Sequence, residues 1–172
     1  MADSSADALP FGSSPAAKDA AWTDVRERIA SLLADEDDPI AALATVACEL
    51  HHAFAAFHWT GFYRVIAPQL LAVGPYQGGH GCLRIPFDKG VCGAAARTKQ
   101  SQLVPDVHAF PGHIACSSST LSELVVPVLS PAGDVLAGLD LDSDHPAAFD
   151  AIDQRHAEAL CTDLGRLLAA AP

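Results

Sequence analysis

The stretch LSELVVPVLSPAGDVLAGLDLDSD, residues 121–144, decides the fold. It reads as two strands around a turn. Leu121 to Leu129 and Val135 to Asp142 carry aliphatic and β-branched residues, and Ser130-Pro131-Ala132-Gly133-Asp134 between them has turn chemistry. Successive side chains of a strand alternate faces. In the second strand Val135, Ala137, Leu139 and Leu141 share an apolar face, and Leu136, Gly138, Asp140 and Asp142 share the other. The two aspartates are then about 7 Å apart. Glu123 stands in line with Leu121 and Val125 on the partner strand, an odd place for a charge. A loop of two or four residues puts Glu123 on the face of Asp140 and Asp142, and a loop of three or five puts it on the opposite face. The even loop, Pro131 to Asp134, is expected, and it pairs Glu123 with Asp142. Carboxylates so close are costly unless a cation joins them. The face is either solvated and merely acidic, or a pocket that grips an ammonium group and keeps one carboxyl protonated as a donor or general acid.

Working outward, the elements complete an α+β domain. Val25, Ile29, Leu32 and Leu33 follow helical spacing, and residues 1 to 20 read as a flexible tail. Asp38-Pro39 looks like an N-cap and first helical residue, followed by the stripe Ile40, Leu43, Ala47, Leu50 and Phe54. Trp59 to Ile66, Leu70 to Tyr76, Cys82 to Phe87 and Gln102 to Val104 read as strands, Val91 to Thr98 as a short helix, and Asp150 to Ala170 as a closing helix. Pro105 to Thr120 has no clear period, and long irregular loops are often functional. An antiparallel sheet with helices packed on one side buries these faces best.

The chain has 172 residues, enough for one domain with its own core, and half of them are hydrophobic. Its net charge of −11 repels nucleic acid and anionic lipid, so neither is expected as a partner. No apolar run approaches the roughly 20 residues of a membrane span. The first residues lack the basic and apolar regions of a secretory signal, so a cytoplasmic location is expected. Five cysteines there point to redox chemistry or metal rather than to a disulfide framework.

Cys48 and Cys161 border helical stripes, where filling the core is the simpler reading. Cys82, Cys92 and Cys116 fall in the glycine-, proline- and histidine-rich middle, where ordinary packing would not put them. With a histidine they total four zinc ligands. Their spacings of 10 and 24 residues lack the close ligand pairs of a structural zinc site, so no metal is expected. His108 and His113 precede Cys116 by eight and three positions; His113 either lowers the thiol pKa or only caps the loop. Trp59 and Tyr63 share a strand face and either wall a small pocket or pack in the core.

Five stretches carry a family likeness: HWTGFY (58–63), CLRIPFDKGVCGAAA (82–96), QLVPDVHAFPGHIAC (102–116), SELVVPV (122–128) and AGLDLDSD (137–144). Together they make the chain, from about residue 20 to its last helix, resemble the free methionine-R-sulfoxide reductases of the GAF-domain family. The resemblance implies a single GAF domain over 21–172. Its six-stranded antiparallel sheet would have helices on one side and a small ligand pocket on the other. It implies thioredoxin-dependent reduction of free L-methionine-R-sulfoxide through a Cys116 sulfenic acid and an intramolecular disulfide. Cys82 matches the resolving cysteine and Cys92 a third that substitutes or relays. Glu123, Asp140 and Asp142 match substrate-holding residues, and Trp59 and Tyr63 the aromatic pocket lining. No bound cofactor is implied: thioredoxin, recharged by NADPH through thioredoxin reductase, is the external reductant. The family often forms homodimers through its helices. Three positions depart from the pattern. His58 replaces a common asparagine, Gly78-Gly79-His80-Gly81 replaces a Lys-Pro-type link, and Ser117 replaces a frequent aspartate. The rival reading is a GAF module that binds a small ligand or senses oxidants without catalysis.

Overall fold

A computed structural model describes residues 8–114, 116 and 118–170. Helices α1 (Pro15–Leu32) and α2 (Pro39–Ala53) lead into strands β1 (Trp59–Ala67), β2 (Leu70–Gln77) and β3 (Arg84–Pro86). Helix α3 (Gly90–Thr98), β4 (Gln102–Val104), a 3₁₀ turn (Val107–Ala109), β5 (Ser122–Leu129), β6 (Val135–Ser143) and α4 (Ala151–Ala170) complete the order. The six strands form one sheet in the order β3-β2-β1-β6-β5-β4, antiparallel at every pairing. The α+β architecture and the antiparallel sheet are as the sequence implies.

The alternation of side chains splits the interior into two cores. Leu124, Val126, Val128, Ala137, Leu139 and Leu141 face α1, α2 and α4, where Trp22, Leu43, Leu50 and Leu164 meet them. Trp59, Tyr63, Val125, Ile85, Val91, Cys92 and Val107 form the second core on the opposite face, under α3 and the irregular loop. Helices therefore cover one face fully, and the short α3 sits on the other beside the carboxylates.

Two expectations change at the N-terminus. The flexible tail was expected to run to residue 20, yet α1 begins at Pro15, with Ser14 Oγ accepting from Ala17 N–H at 3.2 Å. Ser-Pro is a cap and first-turn signal that an Ala/Ser/Pro-rich composition disguised. Upstream, Leu9 bridges to Phe54, with Leu9 N–H donating to the Ala53 carbonyl at 2.8 Å. Residues 1–7 lie outside the described residues. Leu32 and Ile40, expected to face inward, are exposed, because the buried stripes run through Trp22, Val25 and Ile29 and through Leu43, Val46 and Leu50. No helix among the described residues is long and apolar enough to cross a membrane.

Helix α4 lies so close to β5 that a Cβ added at Gly165 would stand 1.9 Å from the Leu129 carbonyl oxygen. Backbone cannot yield as a side-chain tip does. Helix propensity alone favours alanine over glycine by about 1 kcal/mol, and overpacking costs typically about 1–3 kcal/mol. We expect the contact to win: Gly165→Ala lowers stability in urea titration. An unchanged or raised midpoint would contradict the close approach of α4 to the sheet.

Candidate active site

The hairpin between β5 and β6 builds the acidic face. Glu123 pairs with Asp142 and Val125 with Asp140, the register expected from an even loop. The route to it is different. Ser130 N–H donates to the Asp134 carbonyl at 2.8 Å, leaving three connecting residues, with Gly133 at φ +86°. Pairing then shifts between Val128–Ala137 and Leu129–Val135, so Leu136 is an extra residue on β6. A three-residue loop plus a one-residue bulge has the parity of a four-residue loop. The bulge also moves Val135 out of line with Ala137 and onto the second core.

Strand β1 lies on the other side of β6, with Trp59 opposite Asp142 and Gly61 opposite Asp140. A Cβ on Gly61 would stand 2.3 Å from Tyr76 Cβ and 2.8 Å from the Trp59 ring, so the row beside Asp140 has no room for a side chain. Glycine inside a strand is a sequence signal for such close approach, though HWTGFY carries the family likeness without assigning Gly61 that role.

Glu123, Asp140 and Asp142 are 6%, 5% and 9% exposed. With Cys92, His113 and Cys116 they line a cavity of about 20 Å³. The reading of a merely solvated acidic face does not hold. Burial pushes the Glu123 carboxyl well above its ordinary range, and the Asp140 charge adds to the effect. Burial raises Asp142 likewise, against a hydrogen bond from Thr120 that favours its anion. Asp140 rises to about 7, again through burial. At neutral pH the cluster therefore retains protons.

Cys82 and Cys116, 34 positions apart, are joined in a disulfide with their Cα atoms 5.1 Å apart. Cys92 is a free, buried thiol whose Sγ lies 3.9 Å from Glu123 Oε1. Burial beside the carboxylates pushes that thiol well up, so it is not ionised in this state. Two glycines of α3 set its place. Gly90, at φ +66°, donates to the Gly112 carbonyl at 3.0 Å, and a Cβ on Gly93 would stand 2.6 Å from the Pro86 carbonyl oxygen. The helix start is thus tied both to the irregular loop and to β3.

Trp59 and Tyr63 stack at 5.7 Å, and Trp59 stacks on Tyr76 at 5.3 Å. They do not line the 20 Å³ cavity. They form the floor beneath the segment that carries Cys82. Trp59 Nε1 donates to the Gly79 carbonyl at 3.1 Å, and a Cβ on Gly81 would stand 2.8 Å from Tyr63 Oη. Glycine is needed at 78 and 81, where the link lies directly against Trp59 and Tyr63.

His113 lies on the cavity wall, and burial lowers its pKa. With Cys116 in the disulfide there is no thiol for it to activate in this state. His108 is exposed, its ring 6.3 Å from that of His113. Ser117 lies outside the described residues. His58 and Thr120 support Asp142 from behind: His58 N–H donates to the Asp142 carbonyl at 3.1 Å, and His58 Nε2 is 3.5 Å from Thr120 Oγ1. Nothing in the unpatterned loop end at Thr120 announced that role. Cys161 fills the core as expected, but Cys48 is half-exposed, 3.7 Å from His52 Nδ1.

A GAF domain model matches residues 28–169. The free methionine-R-sulfoxide reductase of Escherichia coli is 34% identical over 86% of this chain and 88% of its own length. The chain belongs to the free methionine-R-sulfoxide reductase branch of the GAF-domain family. The solved free methionine-R-sulfoxide reductase of Neisseria meningitidis, in complex with its substrate, is 42% identical. It has a TM-score of 0.86 and covers 95% of this chain and 96% of its own. The fRMsr of Staphylococcus aureus in complex with substrate is 36% identical, with a TM-score of 0.79 over 86% of this chain and 95% of its own.

A carboxyl raised by burial stabilises the fold below its unfolded value near pH 4, and that contribution is lost as pH rises through the folded value, about 7 for Asp140. Asparagine keeps the shape of the protonated acid. Asp140→Asn is therefore expected to be more stable than the parent at pH 8, with the difference shrinking toward pH 4, in denaturant titrations across that range. A difference that grows on acidification would contradict the buried, proton-holding cluster.

Proposed function

We propose that this protein reduces free L-methionine-R-sulfoxide to L-methionine, with Cys116 as the attacking thiol and Cys82 as its resolving partner. The observation that carries the reading is the Cys82–Cys116 disulfide lying over three buried carboxyl groups. The relatives named for this activity, two of them solved with substrate, support it.

The steps follow from the chemistry of the groups. Cys116 attacks the sulfoxide sulfur. A sulfoxide is a poor electrophile until its oxygen takes a proton, and a carboxyl kept neutral by burial, Glu123 foremost, supplies it. Oxygen passes to Cys116 as sulfenic acid and methionine leaves. The Cys82 thiol displaces that hydroxyl, releasing water and forming the disulfide. A thioredoxin-type dithiol then restores both thiols by exchange and is itself oxidised. The substrate ammonium rests on the carboxylates and its carboxylate on backbone N–H groups of the Cys116 loop. A pocket that holds both ends of one amino acid leaves no room for a peptide. Cys92 stands within reach of Glu123 as a reserve thiol, and no bound cofactor takes part.

A cavity of about 20 Å³ holds about one water. The disulfide form is accordingly the closed form, and the substrate enters after reduction, when Cys82 and the glycine link leave the Trp59 and Tyr63 rings. Calorimetry should find binding of methionine sulfoxide to a reduced Cys116→Ser protein and none to the oxidised parent. Equal affinities would remove the gating.

An NADPH-coupled thioredoxin assay tests the function itself. Free R-sulfoxide should be turned over, while the free S-sulfoxide and a sulfoxide-containing peptide should not. Cys116→Ser should abolish turnover, and Cys82→Ser should release one methionine per protein and then stall with thioredoxin. Full recycling by Cys116→Ser would end the proposal. The sensor reading would be favoured by cyclic-nucleotide binding with no sulfoxide turnover.

A further inference from the structure

Ligand atoms of Cys92, Glu123 and Asp140, three residues from α3, β5 and β6, all lie within 4.8 Å of one another, and all three residues are buried. Among the described residues, no lysine or arginine lines the cavity they share. Asp140 Oδ1, on a side chain buried to 5% exposure, has no hydrogen-bond partner among the described residues. A buried acceptor left with nothing to accept from is destabilising. Retained protons relieve the crowding in part, and a cation displacing them would meet both the crowding and the orphaned Asp140 oxygen.

We propose that this triad binds one zinc-type divalent cation, with water as its fourth ligand. The donor set argues for that class. A thiolate with two carboxylates suits a borderline-soft ion that accepts four ligands, whereas magnesium and calcium require six or more oxygens. A cavity of about 20 Å³ holds about one water, so with the ion seated between the ligand atoms it has room for that water and nothing larger. Zinc bonds of about 2.0–2.3 Å require the three atoms to draw together by about 1 Å, a side-chain adjustment. This is not the Cys82, Cys92 and Cys116 set weighed from the sequence, since two of those sulfurs are spent on each other. Glu123 and Asp140 also hold the ammonium group under the function proposed above. On that reading the cation and the amino acid compete, and the metal is an inhibitor; the site itself does not depend on that reading.

Cobalt(II) is the probe. The parent is the oxidised protein carrying Cys48→Ser, which removes the half-exposed thiol beside His52. One equivalent should bind with a near-ultraviolet thiolate-to-cobalt charge-transfer band, displaced by zinc and not by magnesium. Cys92→Ser should remove the band, and Asp140→Asn should weaken binding at least tenfold. No band in the parent, or a band that survives Cys92→Ser, overturns the proposal. Should Cys92→Ser fail to fold, Glu123→Gln must weaken cobalt binding in its place, and unchanged affinity overturns the proposal equally. In reduced enzyme, zinc should raise the KM for methionine sulfoxide and leave kcat unchanged. An inactive protein that keeps the band removes the proposed function alone, and an active protein without it removes the metal site alone.

Discussion

The site depends on one pairing in the sheet: Glu123 opposite Asp142, with Asp140 two residues along the same strand. A slip of one residue would carry Glu123 to the helix-packed face and leave the pocket without it. The slip is prevented from both sides. Leu124, Val126, Leu139 and Leu141 are buried under the helices, so their face cannot turn out. At the hairpin, the single extra residue of the bulge compensates the odd loop. Apolar burial on one face thus fixes a polar arrangement on the other, where no favourable interaction among the acids would have assembled it.

The second constraint is the contact between the glycine link and the aromatic floor. Trp59 and Tyr63 are held by β1 and β6, and Gly78 and Gly81 lie against them with no space for a Cβ. Rings below and a disulfide to Cys116 at its end hold the segment down. Breaking that one covalent bond leaves a glycine-rich segment tied to the floor by the hydrogen bond from Trp59 to the Gly79 carbonyl. On the function proposed above, this couples the redox state of the two cysteines to access to the carboxylates.

Much of this was legible in the sequence because it rested on periodicity. Asp140 and Asp142 alternate with buried leucines, and that alone placed them on one face. Ser14-Pro15 carries the cap chemistry of α1, but the Ala/Ser/Pro-rich composition around it resembles a tail and hides the helix start. The bulge at Leu136 left no local mark, so the register was right for a loop of the wrong length. Trp59 and Tyr63 could be put on a common face but not at a depth: whether they wall a cavity or floor a loop depends on where Gly81 lies, which alternation does not encode. The support of Asp142 by His58 and Thr120 joins residues far apart in the chain, and the irregular segment before Thr120 has no period from which to read it.

The most direct measurement maps the sulfurs after a single turnover. Fully reduced protein is mixed with one equivalent of free methionine-R-sulfoxide and no external reductant, quenched with a thiol-alkylating reagent, and digested for mass spectrometry. The account predicts one methionine formed per protein, a Cys82–Cys116 cross-linked peptide, and alkylated Cys48, Cys92 and Cys161. Methionine formed with Cys116 alkylated as a free thiol, or no methionine at all, would contradict it.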